Sequence, residues 1–350
     1  MTPAGAGAAG AGAEGAVVRA RALGVGFVGG GFMAQVHSRA ARAGRARLVG
    51  VVSSSPARSE KVADELGIER AFDSLDAMLA SDDIDVVHVC TPNALHAEQA
   101  AAVIRAGKHV ICEKPLATTA TDAAELAELA ASAGVTATVP FVYRFHPLVR
   151  EARARVRSGA VGRLLSVNGS YLQDWLLDSD DDNWRVDSIR GGRSRAFADI
   201  GSHLVDLAEF VSGDRIARLC ATARTYFDSR AENSAIVTED AAAVVIKTAA
   251  GALGTLLVSQ VAPGRKNRLK LELAGASESL AFDQEQPETL WIGRRRGSEL
   301  IPRDAEQLSP DAARLVTVPA GHQQGYQDAF NAFVADSYAA VGGTMPEGLP

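Results

Sequence analysis

Leu23-Gly24-Val25-Gly26-Phe27-Val28-Gly29-Gly30-Gly31-Phe32-Met33-Ala34 is the stretch that decides the fold. It reads as a short buried strand over 23–28, a Gly-x-Gly-x-x-Ala turn on Gly29, Gly31 and Ala34, and an Ala-rich helix from about 32 to 43, which together form a dinucleotide-binding fingerprint. Gly29 permits the tight turn, Gly31 lets the backbone approach a pyrophosphate, and Ala34 is small enough for the helix to sit close on the strand. The free N–H groups at the helix start face an anion, with the helix dipole adding to the attraction. Phe32 and Met33 are the first side chains beside that anion. A glycine triplet in an Ala/Gly-rich chain can also be a flexible loop, but here a strand pattern precedes it and a helix pattern follows.

The 350 residues are 47% hydrophobic and 22% charged, a soluble globular composition long enough for two domains with a cleft between them. A net charge of -6 and a pI near 5.7 argue against a nucleic-acid or anionic-membrane partner. The basic block Arg294-Arg295-Arg296 is expected in a solvated hairpin or loop. Cys90, Cys112 and Cys220 have no metal-type spacing and are expected as reduced core thiols of a cytoplasmic protein. No metal is expected. No apolar run approaches the roughly 20 residues needed to span a membrane. Residues 1–20, rich in Ala and Gly without a basic start or a continuous apolar core, are expected to be a disordered tail rather than a signal peptide.

Strand and helix patterns alternate from 21 to 142: strands over 48–52, 85–90, 109–112 and 135–139, and helices over 56–66, 93–106 and 121–133. Continuous apolar strands joined by helices predict a parallel sheet covered on both faces, a doubly wound Rossmann domain of the α/β class. After Tyr143 the rhythm changes. A helix over 146–158 leads into alternating, β-branched segments at 164–172, 215–226, 241–248, 252–261 and 269–273, interrupted by one strong helix over 200–211. This predicts a second, α+β domain over 143–341 with an open, mostly antiparallel sheet, followed by a tail over 342–350. An amphipathic helix over 324–340 carries Tyr326, Phe330, Phe333 and Val334 on one stripe.

Three constellations carry chemistry. Thr91-Pro92-Asn93 follows a strand, and ligands bind beyond the carboxyl ends of strands in doubly wound sheets, so these residues and His96 are candidates for the cofactor crevice. Thr-Pro-Asn is also a plain turn and helix cap, and both can hold at once. Glu113-Lys114-Pro115 ends the next strand. Its ammonium can hold a substrate oxygen and stabilise alkoxide charge, or be only a surface turn lysine. Gly191-Gly192 precedes Asp199-Ile200-Gly201-Ser202-His203-Leu204-Val205-Asp206, where helical spacing puts Asp199, His203 and Asp206 on one face. A histidine beside a carboxylate is a ready general base with an oriented tautomer and a pKa near neutrality. Asp199 as a mere helix cap, and His203 as a satisfied core side chain, are the alternatives.

In order and spacing these motifs resemble the Gfo/Idh/MocA oxidoreductases, from about residue 22 to 340. The resemblance implies nicotinamide-dependent hydride transfer to or from a secondary alcohol of a sugar, cyclitol or glycoside, with Lys114, Asp199 and His203 catalytic. Tyr143 and Arg144 follow the sheet where the family lines its active site. The segment 171–175, with Trp175, and Asn183-Trp184-Arg185 look like the substrate loop of members acting on sugars and glycosides. Two other classes stay open: glycoside cleavage through transient oxidation, and a non-catalytic nucleotide sensor.

The cofactor is NADP or NAD. After the second strand, Ser53-Ser54-Ser55-Pro56-Ala57-Arg58 carries no carboxylate of the kind that holds an NAD ribose. Ser53 and Ser54 can bond either form, and Arg58, or Lys61 less directly, reaches toward a 2′-phosphate, which tips the expectation to NADP. The open second sheet predicts a homo-oligomer, a dimer or tetramer.

Overall fold

The computed structural model describes residues 21–350, and the tail expected over 1–20 lies outside them. The fingerprint forms strand β1 (Gly24–Val28), buried at every position, and helix α1 (Phe32–Ala43). The first unit continues with β2 (Arg47–Val52), α2 (Pro56–Leu66), β3 (Arg70–Ala71), α3 (Leu75–Leu79), β4 (Val86–Val89), α4 (His96–Arg105), β5 (His109–Cys112), α5 (Ala120–Ala133) and β6 (Ala137–Thr138). Its strands lie in the order β3-β2-β1-β4-β5-β6, and the pairs are all parallel. Helices cover both faces, which is why these strands read as unbroken apolar runs.

Local chemistry sets the boundaries. Ser55 caps α2 by accepting from Arg58 N, Pro56 occupies the first turn, and Gly67 ends the helix in the left-handed region. The expected helix over 93–106 is a 3₁₀ turn, Asn93–Leu95, followed by α4. The sequence pattern did not reveal β3 or α3. Both β3 residues are exposed and α3 has five residues, too few for an apolar period to show.

The second unit comprises α6 (Pro147–Arg157), β7 (Leu164–Leu172), α7 (Ser188–Gly191), α8 (Ser202–Ser212), β8 (Ile216–Arg224), β9 (Ala241–Thr248), β10 (Leu253–Ser259), β11 (Arg268–Gly275), β12 (Ser279–Asp283), β13 (Thr289–Arg294), β14 (Gly297–Pro302), α9 (Pro310–Ala313) and α10 (Tyr326–Val341). Its sheet runs β14-β13-β12-β11-β7-β10-β9-β8, antiparallel except where β10 meets β7. Strands β12 to β14 are short additions, unexpected from sequence, and Arg295 and Arg296 are exposed at the turn joining β13 to β14. One face packs Val167, Val244, Leu256 and Leu271 against Leu148 of α6 and Leu204 and Leu207 of α8. The other face is open, with Val245, Leu253 and Leu257 exposed. Cys220 is exposed on β8, so the expectation that all three thiols are core residues fails there. That strand is the sheet edge, and all of its residues after Ile216 are exposed.

The last helix crosses back. Phe330, Phe333, Val334 and Tyr338 of α10 share a core with Val25, Val36 and Val51 of the first unit. Burying such side chains contributes about 1.5–3 kcal/mol each, so α10 ties the second unit into the core of the first. A division at 142/143 does not separate two closed cores. The segment 342–350 is not a free tail either: Pro350 O accepts from Val139 N at 3.2 Å, and Glu347 O from Arg150 Nη1 at 2.7 Å.

Candidate active site

The β1–α1 turn, the end of β2 and the loop after β4 enclose a cavity of about 740 Å³, within the range of about 300–1,000 Å³ usual for ligand sites. Gly29 sits at φ 104°, and a Cβ there would lie 2.6 Å from Cys90 O, so the turn requires glycine. A Cβ on Gly31 would meet nothing within 4 Å. The start of α1 has no side-chain cap, leaving its N–H donors for an anion on the cavity side. These features fit a dinucleotide pyrophosphate.

Phe32, Met33, Ser53, Ser54, Thr91, Pro92, Asn93, His96, Glu113 and Lys114 all line this cavity. Several are also committed to the protein. Thr91 Oγ1 donates to Gln99 Oε1 at 2.6 Å, and Asn93 Nδ2 donates to Gly191 O at 2.9 Å, tying the crevice to the second unit. The buried His96 ring braces two main-chain carbonyls, Pro115 O at 2.7 Å and Thr91 O at 2.8 Å. Arg58 does not line the cavity; its Nη2 donates to Gly30 O at 3.0 Å. Lys61 pairs with Glu65 at 3.7 Å on the surface of α2.

A second cavity of about 500 Å³ adjoins the first, and Phe32, Met33, Glu113, Lys114, Asn183 and Arg185 line both. Lys114 stands at this seam. Its Nζ donates to Asp199 Oδ1 and Asp199 O, both at 2.8 Å. Asp199 Oδ2 accepts from Gln260 Nε2 at 2.9 Å, and Arg185 Nε lies 3.3 Å from Oδ1. Burial opposes ionisation of Asp199, but the Lys114 and Arg185 cations outweigh it and hold the carboxyl far below the usual range. The carboxylate does not cap α8, whose N-cap is Gly201 without a side-chain bond. A π-helical turn over Phe197–Gly201 precedes that helix, a bulge of the kind found at functional sites.

His203 lines the second cavity but forms no hydrogen bond with Asp199, because Lys114, Gln260 and Arg185 occupy the carboxylate. Its Nδ1 is buried without a partner among the described residues, and the ring lies edge-on to Phe141 and Tyr143. Burial, reinforced by the nearby Lys114 cation, lowers its pKa to about 3. The expected carboxylate-oriented histidine titrating near neutrality is therefore not what the fold builds. Asp206 also leaves the expected trio: one turn further along α8, it binds Arg144 Nε at 2.8 Å. Arg144 is correspondingly absent from the cavity, stacked over Phe210 with its centre 4.8 Å from the ring. Its neighbour Tyr143 faces the site; consecutive residues of one tight turn point apart.

Behind Lys114 runs a buried polar chain. Glu113 Oε2 accepts from Lys114 N at 3.1 Å and Oε1 faces His37 Nε2 at 2.9 Å. His37 Nδ1 meets His88 Nδ1 at 2.8 Å, and His88 Nε2 meets the Tyr338 hydroxyl at 2.9 Å. Glu113 has only acceptor oxygens when ionised, so His37 Nε2 donates to it, and the chain ends on the Tyr338 hydroxyl. The strand end that carries Lys114 is thereby held from within the core.

The far wall of the second cavity holds Tyr143, Tyr171, Gln173, Trp175, Asn267 and Tyr326. Trp184 faces the first cavity, stacked under Arg185 with the guanidinium 4.4 Å from its ring. Sequence reading missed Gln260, Asn267 and the site role of Tyr326. The signal for the first two was present. Gly254, Leu256 and Val258 are buried on β10 and Leu269, Leu271 and Leu273 on β11, so Gln260 and Asn267 are amides in phase with inward apolar positions and must find partners inside. Among the described residues, no cluster of three or more His, Cys, Asp or Glu could hold a metal, and no helix is long and apolar enough to cross a membrane.

Residues 23–141 match the family described as "Oxidoreductase family, NAD-binding Rossmann fold", and residues 149–281 match the GFO/IDH/MocA C-terminal domain. Levoglucosan dehydrogenase of Pseudarthrobacter phenanthrenivorans is 32% identical over 298 residues, covering 77% of this chain and 76% of that one. The crystal structure of an oxidoreductase domain protein from Kribbella flavida superposes with a TM-score of 0.87 at 34% identity, covering 94% of this chain and 92% of that one. Levoglucosan dehydrogenase in complex with NADH and levoglucosan superposes with a TM-score of 0.87 at 29% identity and the same coverage, 94% and 92%. The fingerprint turn, the Lys114–Asp199 pair and the two-sheet architecture thus sit in a chain that belongs to the Gfo/Idh/MocA family of NAD-binding oxidoreductases.

Proposed function

We propose that the protein is a dehydrogenase or reductase of a secondary alcohol on a sugar, cyclitol or glycoside. The observation that carries this is the Lys114–Asp199 pair at the seam of two contiguous cavities, with His203 on the wall of the second. The first cavity holds the dinucleotide through Gly29, Gly31, the α1 N–H groups and the Thr91–Asn93 loop, and the second holds the alcohol. The nicotinamide, when bound, accepts or supplies the hydride. Lys114 holds the reacting oxygen and stabilises its developing negative charge. Asp199 fixes Lys114 in place, a positioning role that replaces the expected one of orienting His203. His203, neutral over the working range, accepts the hydroxyl proton. Tyr143, Trp175 and Arg185 contact the substrate. A screen of sugars, inositols and glycosides at the absorbance band of reduced nicotinamide tests this; silence across all three classes with both NAD and NADP would sink it.

The cofactor preference is NADP over NAD. Ser53 and Ser54 face the cavity without a neighbouring carboxylate, and Arg58 rests on Gly30 O one turn into α2, within the same corner. Arg58→Ala should lower the ratio of kcat/KM for NADP over NAD by about tenfold, the worth of one charge-assisted contact. A wild type that strongly prefers NAD, or a ratio indifferent to the change, counts against the preference.

The open face of the second sheet, with Val245, Leu253 and Leu257 exposed, suits a homo-oligomer that covers it. Light scattering at micromolar concentration should give a dimer or tetramer; monomer alone would rule this out. A cytoplasmic location accords with the three free cysteines.

A further inference from the structure

We infer that the second cavity accepts only uncharged polyols of monosaccharide size and rejects their phosphate esters. This deepens the proposed dehydrogenase function and rests on it. Four ionic side chains line the cavity, Glu113, Lys114, Arg185 and Asp199, and their charges cancel. Asp199 sits against both cations. Lys114 is held by Asp199 at 2.8 Å. Arg185 meets Asp199 through Nε at 3.3 Å, Asn183 through Nη1 at 3.3 Å, and the Trp184 ring with its face. The three cations around Asn267 in sequence are neutralised as well, Lys266 by Asp174 at 2.8 Å, Arg265 by Glu285 at 3.2 Å and Arg268 by Asp283 at 2.9 Å. A phosphate ester would bring its charge into a cavity that already holds two carboxylates, Glu113 and Asp199.

The far wall carries the positive half of the inference, since it is built for hydroxyl oxygens. Tyr171 donates to Asn267 Oδ1 at 2.7 Å, and Asn267 Nδ2 donates to the Tyr143 hydroxyl at 3.0 Å. Tyr143 must then donate to Tyr171 across 2.6 Å, closing a three-membered ring with one allowed direction. Gln173 Nε2 donates to the same Asn267 Oδ1 at 2.8 Å, and Trp175 Nε1 fixes the Gln173 amide by donating to Oε1 at 2.8 Å. This network sets both amide orientations, which leaves one N–H on Asn267 and one on Gln173 without a partner among the described residues. Two fixed neutral donors beside the Trp175 indole match the hydroxyl oxygens and C–H face of a sugar or cyclitol ring. The roughly 500 Å³ of the cavity suits a single ring.

The test is calorimetric titration of NADH-loaded protein with three pairs: glucose and glucose 6-phosphate, myo-inositol and its 1-phosphate, and a methyl glucoside and its 6-phosphate. At least one neutral parent should bind, and its ester should bind weaker by a factor on the order of 100. Gln173→Lys, which adds a free cation to the far wall, should narrow that gap at least about tenfold, with NADH affinity as the control for folding. An ester that binds as well as its parent overturns the inference. So does binding by none of the neutral compounds, or a gap unmoved by Gln173→Lys. Turnover is read separately: neutral compounds that bind with the expected gap yet are never oxidised or reduced would refute the dehydrogenase function and leave the charge selectivity standing.

Discussion

Lys114→Ala is expected to lower kcat by a factor on the order of 100 or more, and His203→Ala by a similar factor, while dinucleotide affinity changes little. The two losses have different causes. Among the described residues Lys114 is the only lysine that lines both cavities, and removing it takes away the ammonium that stabilises the reacting oxygen as negative charge develops. It also leaves Asp199 buried with Arg185 as its remaining cation, so a thermal melt must show that the variant stays folded. His203 is a weak base, its pKa lowered to about 3 by burial and by Lys114. Proton transfer to it becomes favourable only after the ammonium has acidified the alcohol. The sign of the pH dependence follows: the imidazole loses its acceptor role only on protonation, so the acid limb of kcat/KM should lie well below the 6.5 of an ordinary histidine. An acid limb near 6.5 that disappears in His203→Ala would show that the ring is more solvated than its surroundings imply. A near-wild-type rate in either alanine variant would remove that residue from the mechanism.

Gly31→Glu should abolish dinucleotide binding and leave the fold intact. The position is an extended N-cap, at φ -90° and ψ -165°, open to any residue, and a Cβ there meets nothing within 4 Å. The substitution therefore costs the protein little. Its carboxylate, however, would stand where the first N–H groups of α1 meet the pyrophosphate, bringing a like charge against the ligand and filling the space the ligand needs. A fall in affinity on the order of 1,000-fold is expected from the lost anion site and the repulsion together. Fluorescence titration with reduced nicotinamide dinucleotide measures it, beside a melting curve for the unliganded protein. Unchanged affinity would mean that the dinucleotide lies elsewhere.

Much of the architecture was legible in order along the chain. The strand, turn and helix at 23–43, the unbroken apolar strands of the first sheet and the alternating strands of the second are local patterns, and local patterns survive folding when the core demands them. Short elements with no apolar period, such as β3 and α3, were not legible, nor were β12 to β14. The exposed Cys220 was misjudged because β-branched alternation marks a strand without saying whether its outer face is covered.

The sequence by itself determined the two-sheet class, the dinucleotide turn at Gly29 to Ala34, and the presence of Lys114, Asp199 and His203, since each depends on residue type and near-neighbour spacing. Tertiary structure alone decided what these side chains face. Asp199 binds Lys114, 85 residues away, rather than His203, four residues away, and Asp206 turns to Arg144. Gln260 and Asn267 enter the site from strand ends, and α10 returns from the far end of the chain to set Tyr326 beside Met33. The physical reason is that helical spacing fixes only which residues share a face, whereas a carboxylate taken out of water goes to the cation or N–H donor that offsets its desolvation. Those donors come from other segments of the chain, and only closure of the core brings them within reach.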